Sequence, residues 1–561
     1  MKKMRKQIFY LIVSSLVAGL VFLLQNLTKY KGNSVSLSGS FRFSLVSKLS
    51  QPIHLPIPQD LSSFTLEKFS RSLSSRGYEH LFLISDIKTL EKLVNRKITP
   101  IVYLSSFSAG RGHIFVSLRP FLLKGIDNRK GVVTLSDASL PKSFSITRDW
   151  FQYLWDREGN ICLTFFSHKL KKQILNDIQD EKLQRFKKIS EVLDRKSRGI
   201  NLTPLKPALK ELVEKFPEWN YPAYVLIRDV LIPEGEINEA KEAVKNLLAK
   251  KPDNPYHRLL ETLIYLEEGN YEQAVNSATV FEREIRKRKF PDLESVYILS
   301  FLYTKAGLFQ RAEEIINWAL KISPQKKDLL ILRAFYHFER GRMQEAIKDV
   351  RSAISLPPKD SFPLWDTLLL EAYSTEDNLK KCEEIAKRVG KSAHNSKINL
   401  WVELLKAEKS GKWDEALSIW DRIYEGSEEE KHYSNYFVGK ASILLKMGKF
   451  KEARRFLEEQ PLLEAALREK RNNLGFLGMF SIYGITLYKC GEFEKAVDVL
   501  FRAYKCVEMD KGLRWFLGPY EVKTLASTEY YLGLALRKEG KEIEANKFIE
   551  KAKSWGFSLP Q

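Results

Sequence analysis

Gly307-Leu308-Phe309-Gln310-Arg311-Ala312 and, 34 residues on, Gly341-Arg342-Met343-Gln344-Glu345-Ala346 decide how this chain folds. Each stretch sets a glycine five positions ahead of an alanine, with a large apolar side chain between them. Glycine ends a helix cheaply, because it enters the left-handed region without a Cβ penalty. The large apolar residue then packs at the start of a second helix. Alanine marks the point where two helices cross too closely for a bigger side chain. Proline follows 12 residues after the alanine in three copies, at Pro252, Pro324 and Pro358, and is expected to stop the second helix.

The pattern extends in both directions. It recurs at Gly235/Ala240, Gly269/Ala274, Gly411/Ala416, Gly448/Ala453 and Gly491/Ala496. A degenerate copy, Leu379/Cys382, fills the gap before Ala416, and Gly540 with Ala545 closes the series. Counting Cys382 among them, successive alanines are 34, 38, 34, 36, 34, 37, 43 and 49 residues apart. Ala319 and Ala353 occupy a later small site, and Gly484 and Gly533 the small site of the first helix. A period near 34 predicts stacked helical hairpins, each burying its neighbour's apolar face. These residues resemble the tetratricopeptide repeat (TPR) family. The resemblance implies an α-solenoid of at least eight hairpins over residues 219–556, with a concave groove for other proteins or peptides. The aromatic-rich stretch 515–520 falls in the longest spacing. It reads as a partner surface or as packing between repeats, the second being favoured.

At 561 residues the chain exceeds a single core and predicts three or four domain-sized units. The net charge of +21 is uneven. Residues 1–200 hold 33 Lys/Arg against 15 Asp/Glu, whereas residues 201–561 hold 58 against 55. A uniform nucleic-acid surface would not be distributed this way, and no aromatic-interleaved basic motif is present. No nucleic acid partner is expected.

Lys2, Lys3, Arg5 and Lys6 precede an uncharged run at 7–28. Its apolar part, 8–24, has just the length needed to cross a hydrocarbon core as a helix. A cleaved signal peptide would need a small-x-small site, which Gln25-Asn26-Leu27-Thr28 lacks. The run reads as an uncleaved single-pass anchor, with membrane contact through residues 8–24. Basic residues before the span outnumber Lys29 and Lys31 behind it, so the body is expected to be extracytoplasmic, periplasmic in a bacterium. The serine-rich basic stretch after the span is a solvated linker or a surface drawn to anionic lipid.

Residues 50–167 have another texture. A helical stretch at 66–76 is followed by β-like runs at 100–104, 113–118 and 131–135, which predicts an α+β domain. Pro58-Gln59, Gly77-Tyr78, Asp86 with Leu90, Pro100-Ile101-Val102, Gly112-His113-Ile114-Phe115 and the valine-rich run ending in Asp137 come in that order. Phe151 and Trp155 close the series. In order and spacing these pieces resemble the bacteriocin-processing, papain-like cysteine peptidase family. The resemblance implies an oxyanion-hole role at Gln59, a base at His113 and an orienting carboxylate at Asp137. The nucleophile position falls on Phe64, followed by Thr65, and no cysteine precedes Cys162. A thiol peptidase needs a thiolate at a helix N-terminus with a base beside it. The domain is therefore expected to be a pseudo-enzyme, with His113, Asp137 and Gln59 as relics.

The four cysteines form no Cys-x-x-Cys pair. No metal site, disulfide scaffold or cofactor is expected. The expected architecture is mainly α: a transmembrane helix at 1–28, a linker at 29–49, a small papain-like α+β domain at 50–167, a charged helical connector at 168–218 and the TPR solenoid at 219–556. The leading reading is a membrane-anchored bacterial interaction scaffold. Its rivals are an active hydrolase with a non-standard nucleophile, and binding of anionic lipid or envelope polymer through the basic N-terminal third.

Overall fold

The computed structural model describes residues 41–43, 53–55 and, with short gaps, 63–556. The anchor expected at 8–24 and Gln59 lie outside the described residues. Among the described residues no helix is long and apolar enough to cross a membrane. The chain divides into two compact units. One runs up to Leu260 without 107–115, and the other comprises 107–115 and the residues from Glu261 on.

In the first unit, β1 (Phe41–Phe43) and β2 (Ile53–Leu55) form a short antiparallel ladder. After the helix Ser63–Ser74 come β3 (Tyr78–Ile84), β4 (Ile101–Gly110), β5 (His113–Asp127), β6 (Val132–Asp137), β7 (Ser143–Thr147) and β8 (Ile161–Ser167). They make one sheet in the order β3-β8-β4-β5-β6-β7. The pairings of β3 and β4 with β8, of β5 with β6 and of β6 with β7 are antiparallel. The sequence pattern locates β4, β5 and β6 but not β3, β7 or β8. The physical reason is clearest for β8, whose residues 161–166 are all buried. A strand covered on both faces loses the alternation that identifies a half-buried one.

The helix Arg148–Arg157 starts where Thr147 Oγ1 accepts the Trp150 N–H at 3.3 Å. It buries Trp150, Phe151, Tyr153, Leu154 and Trp155, and Trp155 Nε1 donates to the Ile161 carbonyl at 3.0 Å. The helix Asp180–Ser197 follows β8. Within the charged helical connector expected over 168–218, this helix buries Phe186, Ile189, Val192 and Leu193. Phe186 stacks on Phe82 of β3 at 5.2 Å. The helix's charges sit on the other face, partly as the i,i+4 pairs Glu181–Arg185 and Glu191–Arg195. High charge content conceals an amphipathic helix.

The first helical hairpin of the series belongs to this unit. Its leading helix runs Tyr221–Val225, passes through a π-helical turn at Leu226–Leu231 and ends Ile232–Glu234 before Gly235. Gly235 turns at φ +74°, and Ala240 is fully buried in the second helix, Ile237–Lys250. The solenoid expected over 219–556 is thereby divided, because Gly235 and Ala240 group with the sheet rather than with the later repeats. Contacts to the sheet domain and to the helix Asp180–Ser197 account for this. Trp219 Nε1 donates to the Gly159 carbonyl at 3.3 Å. Gly159 has φ +81°, and a Cβ there would lie 2.8 Å from the Tyr221 ring. Asp229, in the π turn, contacts Arg228 at 2.8 Å and Lys196 at 3.2 Å. Burial alone would raise its pKa, but the two cations hold the carboxyl well below its usual range. The border between the two units falls inside the helix Pro255–Glu267.

The second unit is a tandem series of TPR-like hairpins. Their first and second helices include Leu293–Lys305 with Phe309–Ile322, Lys327–Glu339 with Met343–Ser355, and Pro363–Thr375 with Leu379–Val389. The series ends with Leu477–Lys489 and Phe493–Glu508, then Pro519–Lys538 and Glu542–Ser554. At a regular turn, Gly307 has φ +75°. Its N–H donates to the Thr304 carbonyl at 3.1 Å, and the Leu308 N–H to Tyr303 at 2.7 Å. This nested pair of bonds satisfies two of the carbonyls that the helix end leaves without intrahelical partners. The degenerate copy repeats the bonds with Asp377 in the glycine's place, at φ +56°. Asp377 donates to Ser374 at 3.1 Å and Asn378 to Tyr373 at 2.9 Å.

Ala274, Ala312, Ala346, Ala416, Ala453, Ala496, Ala545 and Cys382 are all fully buried, as Ala240 is in the first unit. In the last hairpin a Cβ on Gly533 would lie 2.6 Å from Ile549 Cγ1 and 2.8 Å from the Ala545 carbonyl oxygen. Gly439, which lies outside the sequence pattern, has the same role against Trp420, whose ring would stand 1.9 Å from such a Cβ. The two long spacings have separate causes. A short extra helix, Pro461–Arg468, follows Phe450–Glu458, and the helix Pro519–Lys538 runs to 20 residues.

Candidate functional site

The peptidase-like positions are placed as follows. Phe64 is the second residue of the helix Ser63–Ser74, so it stands in a helix first turn, where the resemblance puts its nucleophile. His113 opens β5 and Asp137 ends β6. The β5–β6 register sets Asp137 opposite Phe121, eight residues along from His113, so strand pairing does not bring Asp137 opposite the histidine.

The repeat-signature positions set helix spacing and turns rather than a binding surface. Ala240 and the alanines that follow it are fully buried at helix crossings, so none of them can touch a partner. Gly235, Gly269, Gly411, Gly448, Gly491 and Gly540 all turn with positive φ, between +67° and +85°.

All four cysteines are free thiols. Burial pushes Cys162 far above the ordinary thiol range, Cys382 up to about 11 and Cys490 upward as well. A catalytic thiol needs the opposite, a lowered pKa in an accessible electropositive place. Among the described residues no group of three or more His, Cys, Asp or Glu is arranged to hold a metal ion.

The array holds a more developed site. Tyr297 and Phe301 lie one turn apart on the helix Leu293–Lys305, with rings parallel at 6.1 Å. Tyr336 comes from the next first helix, Lys327–Glu339. All three rings meet Phe516 edge to face, at 5.6, 5.8 and 6.5 Å between centroids. This is the geometry that aromatic quadrupoles favour, worth about 0.5–1.5 kcal/mol per pair beyond area burial. The next residue, Leu517, is 1% exposed, and its N–H donates to Glu339 Oε2 at 3.2 Å. A charged acceptor makes such a bond roughly twice as strong as a neutral one.

The residues around this contact extend it. Gly518 caps the helix Pro519–Lys538, and a Cβ there would meet Glu521 Oε2 at 2.7 Å and Phe335 at 3.8 Å. One turn into that helix, Lys523 Nζ donates to the Thr375 carbonyl at 3.0 Å. Thr375 ends the helix Pro363–Thr375, where unpaired carbonyls and the helix dipole favour a cation. Residues 516–523 therefore engage the first helices of three hairpins that lie 141 to 223 positions earlier in sequence. Over these hairpins the chain itself packs on the first helices. The packing reading of 515–520 holds for Phe516 and Leu517. The sequence does not single out Tyr297, Phe301, Tyr336 or Glu339. Its one signal is the aromatic i,i+4 pair, which resembles ordinary core.

Hydrogen-bonded ion clusters border the repeat faces. Arg333 grips Asp349 through two nitrogens at 2.7 Å each, and Arg342 binds Glu313 at 2.9 Å. Burial would raise the pKa of Glu282, but the Tyr303 hydroxyl at 2.6 Å and Arg286 hold it below the usual carboxylate range. In the first unit His257 is fully buried between the Tyr224 hydroxyl, at 3.0 Å, and the Lys251 carbonyl, at 3.2 Å. Burial lowers its pKa to about 4.

No family model and no curated protein matches the chain. Among solved structures it is similar to a tetratricopeptide repeat protein from Parabacteroides merdae, at 17% identity over 57% of this chain and 98% of that one, with a TM-score of 0.30. It is also similar to YrrB, described as a TPR protein with an unusual peptide-binding site, at 12% identity over 43% and 91%, with a TM-score of 0.19. The TPR-like fold of this chain stands on its own turn glycines and buried alanines.

Proposed function

We propose that this chain is a membrane-anchored bacterial scaffold that binds other proteins through its helical repeats. The observation that carries this reading is the seat for Phe516 and Leu517. Three aromatic rings and a carboxylate, supplied by two successive first helices, hold a non-helical dipeptide. A surface that accepts one non-helical segment by side-chain insertion and a main-chain bond has the chemistry to accept another. The near-neutral balance beyond residue 200 suits recognition by shape and local contacts rather than by bulk charge.

In this reading residues 8–24 hold the body at the extracytoplasmic face of a membrane. Residues 50–167 are a papain-like domain without its nucleophile, an idea supported by a leading helix, Ser63–Ser74, ahead of a six-stranded sheet with helices between its strands, and by Phe64 in that helix's first turn. Pull-down of the intact chain from detergent-solubilised membranes tests the proposal. Reproducible co-purification of a defined protein is expected. Recovery only as a soluble, partnerless monomer would contradict it.

A further inference from the structure

The hairpins of the array pack helix against helix, as their repeat requires. Phe516-Leu517-Gly518 is an exception, since these residues belong to no helix or strand and yet are buried. Phe516 enters among Tyr297, Phe301 and Tyr336, and Leu517 presents its N–H to Glu339. Seating a side chain among rings, followed by a main-chain bond to a fixed side chain, packs this segment with the chemistry by which proteins also recognise extended peptides. The helix Pro519–Lys538 then fixes the register, with Lys523 on the end of the helix Pro363–Thr375.

We propose that Tyr297, Phe301, Tyr336 and Glu339 form a peptide-binding site for an aromatic residue followed by an aliphatic one, occupied in this structure by the chain's own Phe516-Leu517. The partner is thus a protein carrying an exposed aromatic–aliphatic pair in an extended segment. The carboxylate of Glu339 selects for a free main-chain N–H on the second residue, so proline is excluded there. The perpendicular aromatic rings select a flat ring over a branched side chain at the first position. This site rests on the scaffold reading and supplies the ligand chemistry it lacks. A tethered occupant acts at an effective concentration on the order of 1 mM, so a free peptide with an intrinsic Kd of about 10 μM is weakened roughly a hundredfold until the tether leaves.

The test uses the full chain in detergent and a fluorescent peptide of residues 510–522. Wild type is compared with the emptied double variant Phe516→Ala/Leu517→Ala. The emptied variant should bind at least about tenfold more tightly than wild type, a gain of about 1.4 kcal/mol. Tyr336→Ala added to it should abolish that gain, as should a peptide with alanine for Phe516. Equal binding by wild type and emptied variant, or binding indifferent to Tyr336→Ala, overturns the proposal.

Should the emptied variant lose its helical circular dichroism, amide exchange in wild type decides. Exchange at 516–518 at least about tenfold faster than within helix 327–339 supports a displaceable occupant. Exchange of both only with global unfolding overturns it. A protein partner kept by the emptied variant while the peptide fails to bind sinks this site and leaves the scaffold reading standing.

Discussion

The sheet and the repeat array solve the same packing problem with partners at different sequence distances. In the sheet, β5, β6 and β7 pair with their neighbours in sequence, but Tyr78 pairs with Ser167 and Ile84 with Ile161, so β3 and β8 depend on chain 77 to 89 residues away. In the array, a turn such as Gly307 is completed by Tyr303 and Thr304, and the crossing alanine by the adjoining helix. Local specification repeats and can be counted along a sequence. Non-local specification leaves only composition behind. Phe516 and Leu517 break the rule inside the array, for their partners lie about 180 to 220 residues back.

Four perturbations would break or sharpen this contrast. The largest effect is expected in the sheet unit, where Trp155 is fully buried and its indole N–H is bonded to Ile161. Trp155→Ala should cost about 3–5 kcal/mol, read from the shift in denaturant midpoint. A loss below about 1 kcal/mol would mean that this core is not built as described.

Next comes a pH effect in the same unit. His257 titrates near 4 when folded and near 6.5 when unfolded, so the folded state binds fewer protons between those values. Stability is complete above about pH 6.5 and should fall by about 3 kcal/mol as pH drops towards 4. His257→Gln should flatten that slope in pH-dependent urea titrations. An unchanged slope would place the proton uptake elsewhere.

In the array, one methyl group is expected to matter as much as many larger changes. Gly533→Ala sets a Cβ against the Ala545 carbonyl and Ile549 and should cost about 1–3 kcal/mol by thermal melting. The smallest effect has the opposite sign. Asp377→Gly puts a glycine into the left-handed turn of the degenerate hairpin and should stabilise it by about 0.5–1 kcal/mol. Destabilisation there would show that the carboxylate does more than tolerate the turn.

Legibility follows the same divide. The turn glycines and crossing alanines are visible in the sequence because their periodicity survives substitution. Even so, the period does not reveal that Gly235 and Ala240 group with the sheet, since that depends on Trp219 and Tyr221 meeting Gly159 some 60 residues back. The turn at Asp377 is hidden, because aspartate is a common residue with no unique conformational signature. Strands β3 and β8 escape the pattern, since burial on both faces erases alternation in β8 and pairs it with a strand far away. The helix Asp180–Ser197 reads only as part of a charged helical connector because charge count conceals which face carries the charge. Phe516-Leu517 stands in the aromatic stretch that the sequence singles out, but nothing there names Tyr297, Phe301, Tyr336 or Glu339 as its contacts.

The measurement closest to the central claim is a photo-cross-link from position 516. A benzophenone side chain replacing Phe516 in the intact chain, followed by peptide mapping, should join it within the same molecule to residues 293–305 and 327–339. Cross-links confined to other proteins, or to none of these helices, would contradict an array closed from within.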